Sequence, residues 1–363
     1  MIRDLPQIRH DHRLDRLRAS MQNLAVDSFL TSDHISLRWL SGFTGSAGRL
    51  LVSDSTTYLL TDGRYAEQAE KQMQGTGIEI VIGGPSEQMA LIDRHVDGLQ
   101  KLALEADRVS WLEAEELRES LRPDVVSTPG IISDLRRIKE PAEVARIEAA
   151  ASIADRALKH LQPDLANKPT EIEFARALDY AMLNAGAEGL SFDTICASGP
   201  NGALPHAKPS DRVISPGDLV VLDFGALVDG YHSDMTRTFT IGDADEQSWV
   251  MLKGVTDAQE LGYQSLQPGV VASEVDAVCR SHLAELGLAE YFVHGTGHGV
   301  GLEIHEAPWI NSRSATTLQE GQVVTVEPGV YRPGLGGVRV EDTVLIAASG
   351  PRRLTSAPKD PIV

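Results

Sequence analysis

The stretch LDFGALVDGYHSDMTRT, residues 222–238, decides how the second half of the chain is read. Leu219 to Phe224 is a strand-like run, and Asp229-Gly230 is a pair favoured in two-residue hairpin turns. If Val228 pairs with Tyr231, Asp223 falls opposite Thr236, and Asp234 becomes its diagonal neighbour on the same sheet face. Diagonal neighbours stand roughly 7–8 Å apart at Cα, near enough for two carboxylates to grip shared ions.

Three later segments extend this pattern: HGTGHGVGLEIHE (294–306), TVEPGVY (325–331) and GVRVEDT (337–343). They add His298, Glu327 and Glu341 to Asp223 and Asp234, giving four carboxylates and one imidazole in apolar or glycine-rich settings. Burying such acids together without compensation is costly. Two divalent cations would cancel the four negative charges. Oxygen donors with a single nitrogen suit Mn²⁺, Co²⁺ or Zn²⁺ better than a thiol-seeking metal. The expectation is a two-metal hydrolase.

Gln322 to Val326 is expected as a strand that Pro328-Gly329 breaks, with Val338 to Ile346 as the return strand. Arg339 and Glu341 then share a strand face. Taken alone, Glu341 reads as an ion-pair partner of Arg339. The joint presence of five such residues favours the metal reading. His294 and His298 have the spacing of a zinc-protease helix, but the glutamate of that motif is absent. Gly295, Gly297, Gly299 and Gly301 would each cost a helix roughly 1 kcal/mol, so a tight loop or strand is expected there. A phosphate loop fits poorly, since no Gly-Lys-Ser/Thr occurs. His206, in LPHAKPSDRVI (204–214), reads by itself as a surface or capping histidine.

Working outward, 363 residues are enough for two domains. His10 to Leu24 has helical apolar spacing at Leu14, Leu17, Met21 and Leu24. Strand-like runs at 28–30, 49–52, 57–60 and 78–82, with a helix-like Tyr65 to Met73, predict an α/β first domain over residues 1–130. Pro123 to Gly130 is expected as the linker. The second domain, 131–363, opens on a helix with Pro141 at its first position and Val144, Ile147, Ala151 and Ala154 on one face. Thr170 to Glu173 reads as a capping box that launches a helix through Leu183, ending near Gly186. Beyond it the chain is expected to be strand-rich to the end.

The net charge is −19, from 33 basic and 52 acidic residues, which argues against nucleic acid and anionic membrane as partners. No apolar run approaches the roughly 18 residues of a membrane helix. The start, MIRDLPQIRHDHRLDRLR, lacks the apolar core of a secretory signal. Cys196 and Cys279 are expected as buried free thiols in a reducing cytoplasm.

Together these segments resemble the metallopeptidase family of pita-bread fold that contains aminopeptidase P, prolidase and methionine aminopeptidase. RRIKEPAEVARIEAAASIAD (136–155) resembles the helix that opens its catalytic domain. WLSGFTGSAGRLLV (39–52) and LLTDGRYAEQA (59–69) resemble the small N-terminal domain of the proline-specific members. The implied architecture is a creatinase-type α/β N-terminal domain followed by an α+β pita-bread catalytic domain. By this resemblance Asp223, Asp234, His298, Glu327 and Glu341 are metal ligands, with Asp234 and Glu341 bridging two ions, most suitably manganese. Glu327 would also guide the proton of the attacking water. His206 and His305 would hydrogen-bond the scissile carbonyl or the growing oxyanion. His294 would shape the proline pocket, with Tyr331 and Arg339 as pocket or supporting groups.

The implied reaction is removal of the first residue from Xaa-Pro-peptides, in a cytoplasmic enzyme that is a homodimer by family resemblance. Prolidase activity on free Xaa-Pro is the alternative. A peptide-binding module without catalysis, or a metal-free creatinase-like hydrolase, would be expected to have lost ligands that this chain keeps.

Overall fold

The computed structural model describes residues 5–363; the first four residues of the charged N-terminal stretch, and of the expected first domain, lie outside it. The chain forms two compact units, Ile8–Arg136 and Arg137–Val363, the latter joined by the N-terminal residues through Gln7.

The first unit carries α1 (His10–Asn23), β1 (Ser28–Thr31), α2 (His34–Ser41), β2 (Arg49–Ser53), β3 (Thr57–Thr61), α3 (Ala66–Met73), β4 (Glu79–Ile82), α4 (Pro85–Val96), β5 (Lys101–Leu104), α5 (Trp111–Ser120), β6 (Asp124–Ser127) and α6 (Ile131–Arg136). Its six strands form one mixed sheet in the order β4-β3-β2-β1-β5-β6. Leu30, Leu51, Leu60, Leu102 and Leu104 from the sheet pack with Ile92 and Val96 of α4 and Leu117 of α5. The expected helix and strand runs are all present, and Leu14, Leu17 and Met21 are the buried stripe of α1.

The expected linker at 123–130 is corrected: it holds β6, which runs parallel to β5 with Lys101 opposite Asp124. Proline and glycine merely bracket a short edge strand. The unit then continues through α6, because Ile131 and Ile132 are buried.

The second unit begins with α7 (Pro141–Leu161) and α8 (Glu171–Asn184). Pro141 occupies the first turn of α7, where its missing N–H costs nothing. The Thr170–Glu173 box caps α8 in both directions: Glu173 N donates to Thr170 Oγ1 and Thr170 N to Glu173 Oε2. There follow β7 (Gly189–Leu190), β8 (Ile195–Ser198), β9 (Leu219–Phe224), β10 (Ala226–Val228), β11 (Tyr231–His232) and β12 (Met235–Thr240). The central hairpin has the expected register, with Val228 opposite Tyr231 and Asp223 opposite Thr236. Asp229 and Gly230 both take positive φ, 46° and 73°, as a two-residue turn that matches strand twist requires. Val220, Leu222 and Phe224 of β9 pack with Ile153, Ala154 and Ala157 of α7 and Phe174 and Leu178 of α8.

The chain after Gly186 is strand-rich as expected, but it also holds two helices the sequence reading did not place, α9 (Glu246–Ser265) and α10 (Ala272–Glu285). The buried face of α9 includes Gln259, Gly254 and Gly262 beside Met251, Leu252 and Val255, so its apolar stripe is thin in sequence. Gly262 is required by contact: a Cβ there would lie 2.5 Å from Cys279 Sγ of α10.

The remaining strands are β13 (Gly297–Gly299), β14 (Glu306–Ile310), β15 (Val323–Val326), β16 (Gly329–Arg332), β17 (Gly336–Arg339), β18 (Asp342–Ala347) and β19 (Gly350–Arg353). The order β14-β13-β15-β18-β19 makes one sheet, and β16-β17 a separate hairpin. The single return strand expected over 338–346 is thus two strands, which separate at Val340 and Glu341.

Candidate metal centre and substrate cavity

Each candidate ligand sits where a strand ladder ends or changes partner. Asp223 is on β9, and Asp234 immediately precedes β12. The β15–β18 ladder stops at Val326 opposite Asp342, and the β16–β17 ladder resumes at Gly329 opposite Arg339. Glu327 and Glu341 occupy the gap. Their backbone N–H groups turn to other segments, Glu327 N donating to Thr296 O at 2.7 Å and Glu341 N to Thr236 O at 3.1 Å. His298 lies on β13, not on a helix, so its run of glycines is a strand as expected. A side chain on Gly297 would collide with the Thr325 carbonyl, and one on Gly299 with that of Ala307. Backbone thus approaches backbone directly around the imidazole.

The side chains converge. One donor atom each from Asp234, His298 and Glu341 lies within 4.8 Å of the others. His298 Nε2 is 3.2 Å from Glu327 Oε1 and 3.6 Å from Asp234 Oδ2. His298 Nδ1 lies 3.0 Å from the Gly299 carbonyl; donating there leaves Nε2 free to ligate. Asp223 Oδ2 accepts from Arg339 Nη2 at 2.5 Å, while its buried Oδ1 has no partner among the described residues. Glu341 Oε2 accepts from Thr236 Oγ1 at 2.7 Å. Arg339 thus pairs with Asp223, and not with Glu341 as the reading of Glu341 taken alone would have it.

The electrostatics favour added positive charge. Burial pushes Asp234 well above the usual carboxylate range, and Glu341, Asp223 and Glu327 push it further. Burial likewise raises Glu341, reinforced by Glu327 and Asp223. Asp223 is also raised by burial, with Arg339 opposing. Burial would raise Glu327 too, but its hydrogen bond and charge interaction with His298 hold it at about 2. Buried acids that cannot all ionise together, an orphan carboxylate oxygen and an imidazole nitrogen facing Glu327 and Asp234 form a donor set that fits divalent cations.

The neighbouring Asp342 has the opposite surroundings. It is fully buried and takes Arg237 Nη2 at 2.8 Å, Lys359 Nζ at 2.7 Å and Arg353 Nε at 3.0 Å. Burial alone would raise it, yet Arg237 and Lys359 hold it far below the usual range.

A cavity of about 600 Å³ opens on this cluster. His206, His294, His305 and Arg339 line it, together with the five candidate ligands. Tyr331 does not line it. Its hydroxyl sits behind the wall, 2.9 Å from His294 Nε2 and accepting from Arg339 Nη1 at 2.7 Å. Burial lowers His294 and His305, the latter also through His298, so both rings favour the neutral form. The sequence reading missed Phe192, Lys208, Ile304 and Trp309 as lining residues. Trp309 lies near His305, its ring tilted by 30° with centroids 6.5 Å apart, and its place four residues after that histidine was the available signal.

Cys196 and Cys279 are free and buried, and burial raises both thiols. Among the described residues no helix is long and apolar enough to cross a membrane.

Residues 145–348 match Metallopeptidase family M24, and residues 13–138 match the Creatinase/Prolidase N-terminal domain. The chain is 39% identical over 357 residues to the uncharacterized peptidase YqhT of Bacillus subtilis (strain 168), covering 97% of this chain and 99% of that protein. The structure of an Xaa-Pro dipeptidase from Bacillus anthracis superposes with a TM-score of 0.93 at 39% identity, over 98% of this chain and 100% of the other. That of an X-Pro aminopeptidase from Thermotoga maritima MSB8 gives 0.89 at 34%, over 97% and 100%. With its creatinase-type α/β domain and pita-bread α+β domain, the chain belongs to metallopeptidase family M24.

Proposed function

We propose that this metallopeptidase is an Xaa-Pro aminopeptidase, cleaving the bond before proline and releasing the N-terminal residue from Xaa-Pro-peptides. The observation that carries the choice is the state of Arg339. A dipeptidase needs a fixed cation for its substrate's free carboxylate, and the strong form of that contact is a bidentate guanidinium. Arg339 is the only arginine lining the cavity among the described residues. It is already committed to Asp223, Tyr331 and the Thr236 hydroxyl. Phe192, Ile304 and Trp309 add an apolar wall to this lining, which suits a continuing peptide.

In this reading Asp223, Asp234, His298, Glu327 and Glu341 hold two divalent ions, most suitably Mn²⁺, with Co²⁺ or Zn²⁺ as alternatives. When bound, the ions supply Lewis acidity and an acidified water. Glu327 accepts the proton of the attacking water. His206 and His305 donate to the carbonyl oxygen as charge develops on it. His294, fixed by Tyr331 and packed edge-on against Phe292, forms a wall for the proline ring. Tyr331 acts through His294 and Arg339.

The dipeptidase reading rests on Lys208, an exposed ammonium on the cavity lining, and on the name of the Bacillus anthracis relative. The deciding experiment compares metal-stripped protein with and without Mn²⁺ on an Xaa-Pro-Xaa tripeptide and on Xaa-Pro. Metal-dependent release of the first residue from the tripeptide supports the aminopeptidase. Cleavage of the dipeptide alone overturns it in favour of prolidase.

A further inference from the structure

Glu171 opens α8, a position where a carboxylate ordinarily faces water beside the positive end of the helix dipole. Here it is fully buried, at 0% exposure. A buried carboxylate is tolerated only when its lone pairs are satisfied. Glu171 meets that condition by binding both ends of one loop. Its Oε1 accepts from Ser198 N and Ser198 Oγ, each at 2.7 Å, and from Asn201 Nδ2 at 3.1 Å. Its Oε2 accepts from Ser210 N at 3.0 Å, Ser210 Oγ at 2.6 Å and Asn201 Nδ2 at 3.0 Å.

The backbone of α8 adds to this clamp. Glu171 N donates to Arg212 O at 3.0 Å and Ile172 N to Ser210 O at 3.1 Å. Helix donors that lack intrahelical partners are thereby spent on the far end of the loop. Between Asn201 and Ser210 the chain projects His206, which is exposed, onto the cavity lining. Within this span Arg339 Nη1 donates to Pro205 O at 3.3 Å, and Asn201 Nδ2 donates to Ser210 Oγ at 3.2 Å. His206 is exposed while Gly202 and Ala207 of the same loop are buried, so the place of the imidazole depends on how the loop is anchored.

We infer that Glu171 is a positioning residue: its carboxylate closes the 198–210 loop at both ends and so fixes His206 over the metal cluster. It touches no substrate and acts only through that loop. This rests on the proposed role of His206, and the test separates the two.

Full-length, Mn²⁺-loaded Glu171→Gln and Ser210→Ala are compared with the parent protein and with His206→Ala, each alone and combined with His206→Ala. Glu171→Gln should lower kcat about tenfold or more, the scale of displacing a catalytic group by a fraction of an ångström to one ångström, with Mn²⁺ content unchanged. Ser210→Ala, which leaves the carboxylate in place, should fall in between. In the His206→Ala background the further loss should be under about twofold, because residues acting as a unit are not additive. Hydrogen exchange across residues 198–210 should accelerate in Glu171→Gln while that of β12 and β18 does not. An equal kcat loss in both backgrounds, or parental kcat in Glu171→Gln, overturns the inference. So does unchanged exchange in the loop. If the parent cleaves neither the tripeptide nor the dipeptide, the functional reading fails, and loop exchange alone then decides whether the clamp exists.

Discussion

Arg339 Nη2 donates to Asp223 Oδ2 at 2.5 Å across the boundary between β17 and β9, leaving Asp223 Oδ1 buried without a partner among the described residues. One oxygen of this carboxylate is thus oriented by a guanidinium while the other is presented to the cluster. The same guanidinium holds the Tyr331 hydroxyl and the Thr236 hydroxyl, and through the latter reaches Glu341. Arg339→Lys keeps the charge but loses the planar fork. We expect Mn²⁺ affinity and turnover to fall together by roughly 10- to 100-fold, as is usual when a group orienting metal ligands is lost. Mn²⁺ titration followed by calorimetry checks this; unchanged affinity would show that Asp223 needs no such support.

Asp234 and Glu341 make a second, steeper prediction. On the proposed two-metal reading, Asp234→Ala and Glu341→Gln should each reduce turnover by at least about 10³-fold, since losing a metal ligand would remove several kcal/mol of transition-state stabilisation. Metal stoichiometry, measured by elemental analysis, should fall in the same variants. Full activity in Asp234→Ala would refute the two-metal assignment. Chelation of the parent protein should lower its melting temperature, and added Mn²⁺ should restore about 2.7 kcal/mol at a hundred times its dissociation constant.

Lys139 and Glu306 form an ion pair buried on both sides, next to His305. Removing one partner leaves the other charged in a dry site, at a cost of about 3–5 kcal/mol. Lys139→Met should therefore be strongly destabilising, and Lys139→Met with Glu306→Leu should recover part of the loss. A double-mutant cycle by chemical denaturation reads the coupling. Additive effects would mean the pair contributes nothing as a pair.

In the first unit, burial raises Glu105 to about 7, although hydroxyls of Thr31 and Ser36 donate to it. Its folded pKa lies above the unfolded value near 4.5, so the folded state holds the proton more tightly. Stability from this group is fully present below about pH 4.5 and declines as pH rises towards 7. The loss amounts to roughly 3 kcal/mol and then levels off. Glu105→Gln should abolish that decline. The check is hydrogen exchange of β5 at pH 5 and pH 8, corrected for intrinsic rates. A variant with the same pH dependence as the parent would show that Glu105 ionises freely in the fold.

The sequence was most readable where local chemistry admits one solution. Asp229-Gly230 sets the turn, the turn sets the register, and the register puts Asp223 opposite Thr236. The capping box at Thr170 and the proline at 141 located two helices for the same reason. Long-range choices were harder to read. Nothing in GVRVEDT says that the strand exchanges partners at Val340 and Glu341, because that depends on where Pro328 and Thr236 present their carbonyls. Arg339 sits two residues from Glu341, yet it pairs with Asp223, more than a hundred residues away in sequence. Helix α9 was hidden because tight packing against α10 selects Gly262 where a stripe would show an apolar side chain. The role of Glu171 was concealed by the helix-start motif that contains it.

Glu341 and Asp342 are adjacent acids with opposite fates: one faces the open cluster, and the other is neutralised by Arg237, Arg353 and Lys359 behind the sheet. Because successive strand residues point to opposite faces, a one-residue slip of β18 in one direction would carry Glu341 into the basic pocket and Val340 to the cluster, and in the other Asp342 to the cluster and Thr343 into the basic pocket. The first slip would leave the cluster without a carboxylate at that place, and the second would leave Arg237, Arg353 and Lys359 without their buried acid. Neither acid could adopt the other's surroundings without loss. The pair therefore acts as a proofreading device for the sheet, in which a misregistered strand is rejected by its own charges.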